Sequence, residues 1–272
     1  MQRFLGALAL AFFSVTALAQ TPSTGRDYSD LWSNTAESGW GANVIQQDRI
    51  LFITLFVYGT DRRATWYVAS DVTHTGTSNG VDTYSGALYS TTGTPFGTNP
   101  FDPASVAATA VGTLTFTGRA DGTATLAYTV SGTTVTKTVT RQTWRANSIE
   151  STVYYGATSY VRSQCANPGQ NGTENDTAIY TLTVTSNSFR LVEDNGTNNQ
   201  GVRLICNWIG TYSQAGRLGS VTGVATCEDN VPAAFTMTDL QINARSFSAN
   251  FTAQEPAPRN CRADGRLGGV RR

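Results

Sequence analysis

Turn-forming residues break this chain at roughly ten-residue intervals, and the segments between them alternate in polarity. Val111 to Thr117 alternates, Gly118 to Gly122 turns, and Thr123 to Val130 alternates again. Ser131-Gly132 then turns the chain into Thr134 to Trp144. The second half keeps this rhythm: Thr152 to Val161, Ala178 to Thr185, Ser188 to Glu193, Val202 to Tyr212, Ser220 to Cys227, Ala234 to Ile242 and Ser246 to Ala253. Short strands joined by tight turns can bury an apolar face only by stacking two sheets or by closing one sheet on itself. The fold class is therefore all-β, with two antiparallel β-barrel or β-sandwich domains built from meanders and hairpins. A length of 272 residues allows two domains, at 27–145 and 152–272, divided at the polar stretch Arg145 to Glu150.

Earlier strands are expected at Ala42 to Gln47, Ile50 to Tyr58, Ala64 to Ser70 and Tyr84 to Tyr89. Ile50 to Tyr58 is apolar on both faces, which suits a central sandwich strand or a barrel wall covered on its outer side. Thr73 to Asp82 reads as a polar loop, and Thr91 to Pro103 as a long irregular one. Pro256 to Asn260 bends the chain into a basic, glycine-rich tail, Gly265 to Arg272. The absence of a final aromatic residue and of sustained apolar-out alternation counts against an outer-membrane barrel.

The start reads as an export signal. Arg3 precedes an apolar run from Phe4 to Val15, and Ala17-Leu18-Ala19 is a small-x-small cleavage site, so residues 1–19 are expected to be a signal peptide. No cysteine follows that site, so a lipid anchor is not indicated. No later run approaches the ~18 apolar residues of a membrane-spanning helix. The mature protein is expected in the periplasm or outside the cell. There the cysteines Cys165, Cys206, Cys227 and Cys261 are expected to form two disulfides rather than a zinc site, which would want a C-x-x-C and more than one histidine. A hairpin turning at Gly216-Arg217 opposes residues whose numbers sum to about 433, as those of Cys206 and Cys227 do. Of the three possible connectivities, the expected one then pairs Cys165 with Cys261. Without Arg3 the 19 basic residues become 18 against 19 acidic ones, so charge makes no case for nucleic acid.

Catalytic motifs are scarce. His74 is the single histidine; it falls in the expected polar loop and reads as a solvated residue. There is no G-x-S-x-G. A carboxylate pair of Glu37 with Asp61 or Asp71 is the one hydrolytic arrangement left open. Asp194 to Asn199 and Glu228 to Asn230 are rich in oxygen ligands but lack the spacing of a calcium loop, so they read as turns, and no metal or cofactor is called for.

The densest functional signal is Trp32 to Gly41, with two tryptophans, a carboxylate and two glycines. Asn34 and Glu37 have the spacing of a capping box. Trp32 and Trp40 either plug a barrel end or, with Trp66 and Tyr67, line a pocket mouth in which Asn34 and Glu37 are the polar groups.

Asp27 to Trp32, Asn34 to Gly41, Leu55 to Tyr58 and Ala64 to Val68 together resemble a group of exported proteobacterial proteins with a W-x-N-x-x-E-S-G-W-G motif. Gly210 to Arg217 and Gly268 to Arg272 resemble their C-terminal parts. Ser33 and Thr35 stand where many of those proteins have an aromatic residue and a proline. The resemblance implies export and a bacterial source and implies no activity. The sequence thus points to an exported, non-catalytic binding module for a glycan or a small apolar ligand. A carboxylate hydrolase using Glu37 and an envelope interaction protein with no small ligand are the alternatives.

Overall fold

A computed structural model describes residues 25–271. The expected signal peptide, 1–19, lies outside them. The chain forms two closed antiparallel barrels of eight strands each. The first contains β1 (Asp30–Ser33), β2 (Gly41–Gln47), β3 (Ile50–Tyr58), β4 (Ala64–Ser78), β5 (Val81–Thr92), β6 (Ala107–Gly118), β7 (Thr123–Val130) and β8 (Thr133–Arg141). The second contains β9 (Ile149–Ser163), β10 (Gly172–Val184), β11 (Ser188–Thr197), β12 (Arg203–Ala215), β13 (Leu218–Thr226), β14 (Pro232–Ile242), β15 (Ser246–Gln254) and β16 (Arg262–Val270). Within each barrel every strand pairs with its sequence neighbours, and β1–β8 and β9–β16 pairings close the barrels.

Four local expectations need correction. Thr73 to Asp82 is the tip of the β4–β5 hairpin rather than a loop; its Thr and Ser residues suit an exposed ladder. The glycine-rich end is strand β16. There the glycines serve a close approach: a Cβ on Gly156, opposite Gly269, would fall 1.9 Å from the Gly268 carbonyl oxygen. The short β1 was hidden in the aromatic stretch, and Asn34 caps no helix. Its side chain accepts the Ala36 N–H at 2.9 Å in a tight turn, while Glu37 turns away to other partners. The outer face of β3 is not covered either. Phe52, Phe56, Tyr58 and the neighbouring Ile45 and Trp66 are exposed, and among the described residues no helical layer lies over them.

Inward positions follow from the period of two. In β3 they are Leu51, Ile53 and Leu55, all fully buried with Trp32, Tyr84, Phe116, Leu114 and Leu126. Trp32 packs edge-to-face on Phe116 at 5.1 Å and donates its indole N–H to the Tyr28 carbonyl at 3.0 Å. Tyr28 covers the same end and meets Gly118, where any Cβ would strike its ring. The second barrel is filled by Tyr154, Tyr180, Leu182, Leu191, Met237 and Phe247 among others.

The barrels meet through the β12–β13 turn. Asp30 accepts the Arg217 backbone N–H at 2.9 Å and the buried Arg141 guanidinium at 3.3 Å. Arg217 pairs with Asp27 and donates to the Ser29 carbonyl at 2.8 Å. Gly216, at φ +61°, sits where a side chain would displace the Asp30 carboxylate. The far end of the same hairpin carries the Cys206–Cys227 disulfide; its register sums to 433 from Ala215–Leu218 down to Asn207–Thr226. Cys165 bridges to Cys261 at the same rim.

Trp32→Ala is expected to destabilise the first barrel by about 3–5 kcal/mol, through lost burial and the cavity it leaves. Urea unfolding read by circular dichroism checks this. A change under about 1 kcal/mol would mean that Trp32 does not key the interior.

Candidate functional site

The two interiors differ at their ends. The second barrel opens, away from the first, into a cavity of about 130 Å³ lined by residues from β9 to β16. Its floor is Glu193, which is only 3% exposed. Strand alternation places Glu193 two residues beyond the buried Leu191, at the level where the apolar filling stops. Its carboxyl accepts the Trp208 indole N–H at 2.9 Å and the Thr158 hydroxyl at 2.5 Å. Tyr180, 2.5 Å from Thr158, completes the cluster. Burial pushes the Glu193 carboxyl above its usual range, with the neighbouring Asp176 adding to the shift against these hydrogen bonds.

The walls are aromatic. Trp208 packs edge-to-face on Phe251 and Phe235, with ring centroids 5.3 and 5.1 Å apart, and Tyr160 lies 6.1 Å from Phe251. Ala225, Ala233, Ala253 and Ala263 supply small side chains around the rim, which is why space remains. Asn195 Oδ1 is buried with no hydrogen-bond partner. Cys206, Cys227 and Cys261 line the mouth, so both disulfides frame it. An open rim otherwise splays at modest cost; crosslinks fix its aperture.

The residues singled out in the sequence are dispersed. Trp32 is wholly inside the first barrel. Trp66 faces out of β4, where it is 49% exposed, opposite Phe56, and the alternation of the strand turns Tyr67 inward. Trp40 and Tyr67 both pack against the core. Glu37 accepts the Trp40 indole N–H at 3.0 Å and pairs with Lys137 at 2.7 Å. That ammonium holds the Glu37 carboxyl below its usual range, a poor setting for a general acid. Asp61 caps its own turn through the Arg63 N–H at 3.0 Å, and Asp71 accepts from Thr73. Glu37, Asp61 and Asp71 thus each engage different partners.

His74 is not solvated: its side chain is 5% exposed. It lies between Arg49, 2.6 Å from Nδ1, and the buried Asp82, 3.8 Å from Nε2. Asp82 also accepts from Tyr28 at 2.7 Å and Thr77 at 2.5 Å. This cluster seals one end of the first barrel. The carboxylate turns have turn partners: Asp194 pairs with Arg203 and accepts the Gly196 N–H, and Asp229 pairs with Arg259. Cys206, Cys227 and Glu228 lie close enough to hold an ion, but the two sulfurs are already bonded to each other.

The Glu193 site was not singled out from sequence. Its one signal was a glutamate at an inward position of an alternating strand, Phe189-Arg-Leu-Val-Glu193, followed by Trp208 on the next strand.

No protein-family model and no curated protein matches this chain. Among solved structures, a candidate outer membrane protein from Bacteroides fragilis aligns over 89% of this chain and 94% of its own, with 14% identity and a TM-score of 0.30. A likeness that loose carries no argument. Among the described residues no helix is long and apolar enough to cross a membrane.

The raised Glu193 carboxyl sets a pH dependence. A carboxyl that holds its proton more tightly folded than unfolded contributes stability that is full below the ordinary glutamate value, about 4.3, and is lost as pH rises through the folded value. Glu193→Gln, which cannot ionise, is therefore expected to gain stability relative to the parent as pH rises from about 4 to neutrality. Urea midpoints across that range check it. A constant difference between the two proteins would show that Glu193 titrates normally.

Proposed function

We propose that this protein is an exported binding module, periplasmic or secreted, that takes a small, partly apolar ligand into the mouth of its second barrel. Two disulfides fit an oxidising, extracytoplasmic setting. The observation that carries the reading is the contrast between the interiors. The first barrel is filled by Trp32, Tyr84 and Phe116, whereas the second keeps an aromatic-walled cavity with a buried carboxyl at its floor. A volume of about 130 Å³ is close to the ~150 Å³ of a cavity that accepts benzene. Rigid walls and a crosslinked rim reduce the ordering that binding would otherwise require.

A second reading places a glycan on Trp40 at the far end of the first barrel. There the indole is part-buried, its edge is fixed by Glu37, and Lys137 lies 5.8 Å from its ring. Thermal-shift measurement against glycans and small apolar compounds separates the two. A ligand at a hundredfold excess over its Kd stabilises by about 2.7 kcal/mol. The shift is expected to vanish in Ala233→Trp, which fills the mouth, and to persist in Trp40→Ala. The reverse result would move the site to the first barrel, and no shift across the panel would favour an interaction protein without a small ligand.

A further inference from the structure

We propose that the mouth of the second barrel selects a small organic cation: an ammonium group on a compact apolar body. The inference rests on the binding reading above and narrows its ligand. The lining carries three exposed or half-buried carboxylates, Asp176, Asp229 and Glu255, besides the buried Glu193 carboxyl, against one guanidinium, Arg162. Asp229 is neutralised by Arg259. Arg162 lies over the Tyr160 ring, 5.8 Å from its centroid. Asp176, Glu255 and Arg162 form no ion pair among the described residues, and Asp176 and Glu255 are half-buried in the wall; Arg259 also acts on Glu255, so Asp176 is the carboxylate with the least compensation. An anion entering here would meet these carboxylates in a confined space, where water screens them less than at the surface.

The hydrogen-bonding groups have the same bias. Two donors of the site are already used: the Trp208 N–H and the Thr158 hydroxyl are turned onto Glu193, while the Arg162 guanidinium leans on the Tyr160 hydroxyl at 3.5 Å. What the lining still offers is mainly acceptors, the carboxylate oxygens of Asp176 and Glu255. A wholly apolar ligand would bury them without compensation, at a cost. A cation, or an N–H or O–H beside it, satisfies them. Tyr160, Trp208 and Phe251 give the apolar body a wall, and their ring faces attract positive charge. Shape and charge thus favour a cation over an anion in this mouth.

Three probes of one shape test this by calorimetric titration of the mature, oxidised protein. They are choline, its neutral carbon isostere 3,3-dimethyl-1-butanol, and the anion 3,3-dimethylbutanoate. Choline is expected to bind about tenfold more tightly than the alcohol, and the anion more weakly than either. Asp176→Asn is expected to weaken choline about threefold or more and leave the alcohol unchanged. Ala233→Trp is expected to abolish both. Equal or tighter binding of the alcohol or the anion would overturn the cation inference and leave the cavity as a binding site. Choline binding that survives Ala233→Trp would overturn it as well. No heat with any probe would overturn both the cation inference and its parent reading for ligands of this size.

Discussion

Closure is the constraint on which this molecule depends. An eight-stranded sheet that closes on itself loses its edges and encloses an interior wide enough that side chains must fill it or a ligand must. The protein meets that demand in both ways. In the first barrel Trp32, Tyr28, Tyr84 and Phe116 occupy the space, and β1 closes onto β8 through only two paired positions, Trp32 opposite Arg141 and Ser33 opposite Thr140. So short a closing strand holds because the same tryptophan fills the core and fixes the seam. In the second barrel, closure is extensive: β9 and β16 pair over nine positions. The filling can therefore stop short of the rim without loss of the sheet.

The polar groups sort themselves by that division. Arg141, Asp30, Asp27 and Arg217 are placed where the barrels meet, and their charges are matched. Asp82, His74 and Tyr28 close an end of the filled barrel, where burial and the adjacent Asp82 hold the Tyr28 phenol well above its usual range. Glu193 lies where apolar packing ends and space begins. Buried charge at an interface fixes register; buried charge beside a cavity is a reason to look for a ligand. The interface turn and the disulfide-framed mouth are opposite ends of one hairpin, β12–β13. The first barrel thus anchors a scaffold whose open end points away from it.

The exposed row of Ile45, Phe52, Phe56 and Trp66 is a large departure from an apolar-in, polar-out barrel, and the second barrel has a smaller one at Tyr155, Ile179 and Val270. It explains why β3 read as a strand covered on both sides. Period-two alternation tells which residues share a face, and an apolar outer face tells nothing about whether the same chain covers it. The bias of aromatic residues toward β2–β4 also drew attention to Trp40 and Trp66, which the pleat sends to different sides of the wall.

What the sequence determined by itself was the rhythm. Turn residues at regular intervals, alternating strands and glycines at tight bends are local properties, so most strands and the all-β class were legible. The register of the β12–β13 hairpin was legible too, because a turn fixes opposition by simple counting, and it brings Cys206 opposite Cys227. Barrel against sandwich was not legible, since both bury the same faces and differ only in whether the last strand meets the first. The site was hidden for the same reason. Glu193, Trp208, Asn195 and Asp176 come from three strands, and their shared cavity exists only because closure places them around one axis and small alanines leave the space open. Alternation decides which side chains point inward, but only the closed tertiary structure decides whether the inside is full.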